Sequence, residues 1–371
     1  MAEAGTPDKA KLRLSLGAWR QLARKIDPRR ARVSRQLRCS YLLSSMVYSA
    51  LARIQRTSHA DALQTCCPSP PIFILGFWRS GTTFLHELLC CDARLGFAST
   101  YACLNPSHFL LSEQWVRNRP IQKLTQRPMD NLEYSWASPQ EDEFALLALG
   151  APSPYQAILV PSLMRDPQSL LDLGQLPAED QERWSSSLQY FLRLLTVQQA
   201  KTIVLKSPSH GFRMPRLRTL FPGARYIIIE RNPYEVFPSN VKLWRTLLES
   251  HSLENFSAEE IEEFILAAYV LHERALSEGT RDIDGRFVAR VRFEDLEAEP
   301  VAEVSRLYRE LELGDFECAR AGVEQHLASV AGYRRNRFCL RADQKARVER
   351  TWGALIGGKG YDWPEDRLSI A

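Results

Sequence analysis

The most constraining stretch of this chain is residues 71–91, Pro-Ile-Phe-Ile-Leu-Gly-Phe-Trp-Arg-Ser-Gly-Thr-Thr-Phe-Leu-His-Glu-Leu-Leu-Cys-Cys. Ile72, Phe73, Ile74 and Leu75 form a short continuous apolar run, the pattern of a strand buried on both faces. Gly76 to Gly81 supplies a loop. From Thr82 onward Phe84, Leu85, Leu88 and Leu89 recur at helical spacing. Strand, glycine loop and helix in that order turn backbone N–H groups and the positive end of a helix toward a phosphate. The spacing Gly76-x-x-x-x-Gly81 followed by Thr82-Thr83 is that of a nucleotide phosphate loop, with one change. Thr82 stands where ATP-binding loops carry the lysine that reaches the β- and γ-phosphates. That change argues against a γ-phosphate as the transferred group. Arg79 places a cation inside the loop instead.

The rest of the chain supplies matching pieces. Apolar runs over 202–205, 224–230 and 287–293 read as three more strands. They alternate with helical patterns over 179–200, 212–221, 258–278 and 300–312. Asn232 can cap, and Pro233 can open, a further helix after the third strand. Strands alternating with helices predict a parallel sheet covered on both faces. In such sheets ligands bind beyond the carboxyl ends of the strands. Gly76, Lys206 and Arg231 all fall at such ends, so three strands aim polar groups at one crevice.

Other segments carry weaker signals. Residues 92–137 read as irregular and aromatic-rich. Ser138, Pro139 and Glu141 read as N-cap, first helical residue and capping-box acid of a helix beginning there. The tail, 317–360, reads as helical and basic, with the run Tyr333-Arg-Arg-Asn-Arg337. Residues 11–57 read as a basic helical extension with Leu37, Tyr41, Leu42, Ser45, Met46 and Tyr48 on one side. Such a helix either packs on the main domain or makes peripheral contact with a membrane. Residues 65–70 are a linker, which divides the chain into an extension, 1–65, and a main domain, 66–371.

Composition excludes several classes. A net charge of +4 over 371 residues suits an anionic ligand but does not indicate nucleic acid. The eight cysteines lack any C-x-x-C pair, which points to free thiols, a reducing compartment and a cytoplasmic location. Nothing has the pattern of a signal peptide, a membrane-spanning segment or a metal-ligand cluster.

Four blocks carry a family resemblance. Gly76-Phe-Trp-Arg-Ser-Gly-Thr-Thr83 resembles the phosphosulfate loop of sulfotransferases that use 3′-phosphoadenosine 5′-phosphosulfate (PAPS). Arg231-Asn-Pro-Tyr-Glu-Val-Phe-Pro-Ser239 resembles that family's 3′-phosphate motif, an Arg and a Ser eight apart. Val204-Leu-Lys-Ser-Pro-Ser-His210 and Arg292-Phe-Glu-Asp-Leu296 look like further blocks of its bacterial-type, broad-specificity branch. The blocks follow the family's order over about residues 70–300. The resemblance implies an α/β fold of the three-layer P-loop type and PAPS as co-substrate without a metal. It implies that Arg79, Ser80, Gly81, Thr82 and Thr83 hold the 5′-phosphosulfate. Arg231 and Ser239 would hold the 3′-phosphate, and Arg335 in the basic tail would close over the nucleotide. Pro238 removes a helical hydrogen bond and is expected to kink the helix that carries Ser239.

Sulfuryl transfer needs a positioned donor, neutralised charge on the leaving phosphate, and a base for the acceptor proton. Arg79 and Lys206 are the candidates for the charge. For the base the candidates are Glu141, Asp142, Glu143 and His210, with His86 a distant fifth; a carboxylate from 141–143 comes first and His210 second. Glu143 has no capping duty to explain it, whereas His86 is expected to face solvent or a neighbouring helix. The tyrosyl-protein branch of the family has an acidic base shortly after the first helix, but residues 98–103 contain no carboxylate. The acceptor is a small molecule, a carbohydrate or a lipid bearing a hydroxyl or amine, in a pocket shaped by 97–160 and 243–260. Two other readings compete, a P-loop kinase or NTPase and a non-catalytic member of the fold. The first predicts a lysine in place of Thr82, and intact Arg79, Lys206, Arg231 and Ser239 oppose the second.

Overall fold

The structure, a computed structural model, describes residues 12–117, 135–332, 338–365 and 368–370. Its centre is a five-stranded sheet in the order β2-β3-β1-β4-β5. The strands are β1 Ile72–Leu75, β2 Leu95–Phe97, β3 Thr202–Lys206, β4 Arg225–Glu230 and β5 Val288–Arg292. Every pairing is parallel. Side chains on a strand alternate between faces, so the continuous apolar runs feed two cores at once. Ile72, Ile74, Val204, Ile227 and Ile229 join the core beneath helices Thr82–Leu89 and Pro300–Glu310. Phe73, Leu75, Leu205, Tyr226 and Ile228 join the core beneath helix Ala178–Gln199. The molecule is thus the expected three-layer α/β fold.

Two expectations about local structure change. Residues 92–117 are not irregular: they contain edge strand β2 and helices Thr100–Leu104 and Phe109–Arg117. The edge is held by a side chain. Gln199 Oε1 accepts from the Phe97 N–H at 3.1 Å, and Gln199 Nε2 donates to the Phe97 carbonyl at 2.9 Å. The basic tail is also not wholly helical. Its strand Phe338–Leu340 pairs in parallel with Leu368–Ile370 as a second small sheet.

The N-terminal helices are Leu16–Lys25 and Arg35–Ser58, capped by the Ser15 and Ser34 hydroxyls. Leu14, Trp19, Leu22 and Ile26 enter the same apolar cluster as Trp244, Phe264 and Trp352. Between the helices, Arg32 N–H donates to the Leu253 carbonyl at 2.7 Å and Asp27 N–H donates to Glu254 at 2.6 Å. Leu248, Leu253 and Glu254 are therefore buried, and this part of the 243–260 region anchors the extension. The expected face of helix Arg35–Ser58 is split. Tyr41 and Ser45 turn inward, but Leu42 and Met46 stay exposed beside Leu43 and Val47. Among the described residues no helix is long and apolar enough to cross a membrane.

Candidate active site

The carboxyl ends of β1, β3 and β4 are adjacent, because β1 lies between the other two. Lys206 is level with Ile74, and Ile228 with Leu75. The loop after β1 is shaped by two left-handed residues, Arg79 (φ 70°) and Gly81 (φ 97°). Glycine tolerates that region freely, whereas Arg79 is held there against its own preference. At Gly76 a Cβ would come within 2.6 Å of Ser80 Oγ and 2.7 Å of the Ile229 carbonyl, so no larger residue fits. Ser80 Oγ is buried with no hydrogen-bond partner among the described residues. A close-fitting glycine loop, an unsatisfied hydroxyl and the N-terminus of helix Thr82–Leu89 are a donor set that fits a bound anion. Among the described residues no group of three His, Cys, Asp or Glu is placed to hold a metal.

At the end of β3, Lys206 is 2% exposed. Its Nζ donates to Glu141 Oε1 at 3.0 Å and to Thr83 Oγ1 at 3.4 Å. The other oxygen of Glu141 accepts from the Tyr155 hydroxyl, and Trp78 Nε1 donates to that same hydroxyl at 3.1 Å. A chain of contacts thus runs from the loop after β1 (Trp78) through Tyr155 and Glu141 to Lys206 and back to the loop helix (Thr83). Burial first, and the neighbouring Glu141 carboxylate second, push the Tyr155 hydroxyl well above its ordinary range, so it remains a donor. Neither Tyr155 nor the role of Trp78 was legible as a motif. Trp78 sits in the loop itself, but Tyr155 is a lone aromatic between Pro154 and Gln156 with no motif around it.

At the end of β4, Arg231 Nε donates to Glu235 Oε2 at 2.8 Å, and its Nη1 donates to the Arg79 carbonyl at 3.3 Å. Its guanidinium lies 4.7 Å from the centre of the Phe293 ring. Arg79 Nε donates to Ser239 Oγ at 2.9 Å. Arg79 thus touches both Arg231 and Ser239. Asn232 caps helix Pro233–His251, its side chain accepting from the Tyr234 N–H. That helix runs on through Pro238. Glu235 was not foreseen, although an acid four residues after Arg231 in a first helical turn is a recognisable pairing signal.

The acidic run is separated by the fold. The helix begins at Glu143, not near Ser138. Residues 98–100 capture the preceding segment instead: Thr100 N–H donates to the Ser138 carbonyl at 2.8 Å and Gln140 N–H to the Ala98 carbonyl at 2.9 Å. Glu141 is thereby released from the capping box and turned to Lys206. Glu143 is fully buried, with Arg213 Nη1 at 2.9 Å and Ser209 Oγ at 2.6 Å. Asp142 is bound to His210 Nε2 at 2.6 Å, and both are fully buried. Glu143 and His210, both candidates for the base, are therefore packed away from solvent. The Glu141 side chain keeps 17% exposure. Of the two settings expected for His86, solvent or a neighbouring helix, the solvent one does not hold: the side chain is 1% exposed. Burial and then the Lys206 cation hold its imidazole well below its ordinary range, so it stays neutral. Arg335 lies outside the described residues. A cavity of about 370 Å³ is lined by Tyr101, Leu111, Ser112, Trp115 and Val116, within the expected acceptor segment.

Comparison with known proteins agrees with this geometry. Residues 70–317 match the model of a sulfotransferase family. The chain is 38% identical over 323 residues to omega-hydroxy-beta-dihydromenaquinone-9 sulfotransferase Stf3 of Mycobacterium bovis, covering 87% of this chain and 83% of that protein. The protein of the same name in Mycobacterium tuberculosis matches equally. Among solved structures, sulfotransferase STF9 from Mycobacterium avium superposes with a TM-score of 0.67 at 17% identity, covering 96% of this chain and 99% of that one. Sulfotransferase STF1 from Mycobacterium tuberculosis gives 0.62 at 20% identity, over 94% and 95% of the two chains. These two likenesses bear on the fold. The long family match and the 38% identity bear on the chemistry, and by them the chain belongs to the sulfotransferase family.

Proposed function

We propose that the chain transfers a sulfuryl group from PAPS to a hydroxyl on an apolar, lipid-like acceptor. The observation that carries this reading is buried Lys206, shared between Glu141 and Thr83 at the mouth of the phosphate loop. PAPS supplies the sulfuryl group when bound. The amides of residues 79–83, with Ser80, Thr82 and Thr83, hold its 5′ end at the helix N-terminus. Arg231 and Ser239 hold the 3′-phosphate by hydrogen bonds to its charged oxygens, with Arg79 Nε fixing the Ser239 hydroxyl. Three of the five N–H donors of Arg231 are engaged by Glu235 and the Arg79 carbonyl, which fix its plane.

Lys206 stabilises negative charge on the departing phosphate. Glu141 accepts the acceptor's hydroxyl proton while the acceptor oxygen forms its bond to sulfur. An anion arriving beside Lys206 competes with Glu141 for the ammonium, which frees a carboxylate oxygen to accept from the acceptor hydroxyl. Tyr155 keeps the carboxylate oriented throughout. The acceptor class rests on two supports. One is the apolar cavity beside the Tyr101 and Trp115 side chains. The other is the 38%-identical relative, whose name specifies a hydroxylated menaquinone. The eight unpaired cysteines suit a reducing, cytoplasmic setting.

Two measurements test the reading. Thermal shift should rise with 3′-phosphoadenosine 5′-phosphate, because a ligand of the native state stabilises it by mass action. Stabilisation by ATP–Mg²⁺ alone would point to a kinase-like site instead. Labelled PAPS should then pass its label to a hydroxylated isoprenoid quinone in preference to a simple sugar. Failure to label any hydroxyl acceptor, with nucleotide binding intact, would leave a non-catalytic member of the fold.

A further inference from the structure

Helix Arg35–Ser58 presents an unusual outer face. Its inner side holds Tyr41, Ser45 and Gln55 against the body. Leu42, Leu43, Met46, Val47 and Ile54 project outward, with Leu43 65% and Val47 57% exposed. At 100° per residue, Cys39, Leu42, Leu43, Met46, Val47 and Ala50 fall on one stripe about three turns long. A contiguous apolar patch of this kind marks an interaction surface. Arginines flank it at both ends: Arg35 and Arg38 before it, Arg53 and Arg56 after it, all exposed. The helix contains no Asp or Glu.

We propose that this face docks on the surface of an anionic lipid bilayer. The apolar stripe enters the acyl boundary, and the flanking arginines reach out to anionic headgroups. Charge chooses this occupant over a second copy of the chain. Two such stripes packed in either orientation would bring arginines against arginines, with no helix carboxylate to pair them. A lipid surface offers negative charge along the whole length instead.

The position of the helix adds weight. Tyr48, on its inner side, stacks on His108 with ring centres 6.1 Å apart. His108 Nδ1 bonds Ser112 Oγ at 2.8 Å, and Ser112 lines the 370 Å³ cavity. Gln55 of the same helix binds the Pro106 carbonyl and the Leu110 N–H. A docked helix thus places that cavity next to the source of an apolar acceptor. Docking itself requires no particular acceptor, so it stands apart from the reading of the active site.

Sedimentation of the full chain with vesicles tests it, using phosphatidylcholine alone and phosphatidylcholine mixed with phosphatidylglycerol. The wild type should co-sediment with the anionic vesicles and release at high salt. Leu43→Glu with Val47→Glu, and separately Arg38→Glu with Arg53→Glu, should each lower the partition coefficient at least ~10-fold. All four positions are exposed, so circular dichroism and the thermal-shift response to nucleotide should stay at wild-type values. Absence of wild-type binding, or equal binding by both variants, would overturn the proposal. So would a concentration-dependent dimer that Leu43→Glu with Val47→Glu dissociates while the wild type ignores vesicles.

Discussion

Glu141 and Glu143 are two residues apart and chemically alike, yet the fold gives them opposite duties. Glu141 faces Lys206 and keeps an exposed edge, whereas Glu143 is enclosed with Arg213 and Ser209. Glu141→Gln should therefore lower kcat at least ~10²-fold, as loss of a general base does, while nucleotide affinity changes little. Glu143→Gln should instead strand a buried guanidinium and cost about 3–5 kcal/mol, read as a lower denaturation midpoint. Normal stability with lost turnover in Glu143→Gln would move the base to that residue. Tyr155→Phe probes the same site more gently. It removes the donor to Glu141 and leaves Trp78 Nε1 without its acceptor. The expected loss in kcat is about 10-fold, from roughly 1–2 kcal/mol of misplaced carboxylate, without a matching rise in KM for the nucleotide. Unchanged turnover would make Tyr155 a packing residue only. The sequence placed Glu141 among the candidates for the base, but the choice among them lay beyond it for a definite reason. Arg79, Arg231 and Ser239 are set by local spacing within a loop and one helix. The Trp78–Tyr155–Glu141 relay depends on loops meeting across the crevice, which no periodicity encodes.

Elements were legible in proportion to their apolar runs. β1, β3, β4 and β5 each combine β-branched or apolar residues with a clear end, and all were expected. β2 is only Leu95–Phe97, held in place by Gln199 more than 100 residues away, so it left no pattern. The helix expected from Ser138 failed because a pairing with residues 98–100 competes for its first backbone groups. The link between the two N-terminal helices is governed by charge. Glu260 accepts from Arg30 Nη1 at 2.7 Å and from Arg165 Nε at 2.8 Å. Arg30 above all holds the Glu260 carboxyl down to about 2, against an ordinary 4.5. A carboxyl depressed in the folded state stabilises above its unfolded pKa and loses that contribution as pH falls through the folded one. The Arg30 tether should hence weaken from about pH 4.5 and be gone near pH 2. Hydrogen exchange of the 27–32 backbone should accelerate over that window. Glu260→Gln should show the fast exchange already at neutral pH. A flat profile in both proteins would assign the tether to its backbone bonds alone.

At the scale of the whole molecule, the question is whether the N-terminal segment is an attachment or part of the body. A boundary near residue 65 follows from the change in composition and the linker-like Thr-Cys-Cys-Pro-Ser-Pro. The apolar packing argues for a closer union. Leu14, Trp19, Leu22 and Ile26 are each at most 7% exposed and share a cluster with Trp244, Phe264 and Trp352. The same cluster includes Phe77 and Trp78 of the loop after β1. Full burial of one such side chain contributes about 1.5–3 kcal/mol. Four of them together approach the ~5–15 kcal/mol that separates a native domain from its unfolded chain. Removing residues 1–33 should consequently leave a chain that aggregates or binds apolar dyes, not a compact catalytic core. Replacing Trp19 and Leu22 by Ala is the milder form of the experiment. It should lower the melting temperature and, by loosening the cluster behind Trp78, weaken nucleotide binding in the fraction that remains folded. A truncated protein with native circular dichroism and unaltered response to 3′-phosphoadenosine 5′-phosphate would show instead that the loop is supported by the sheet alone. The extension would then be free to serve only the surface it carries.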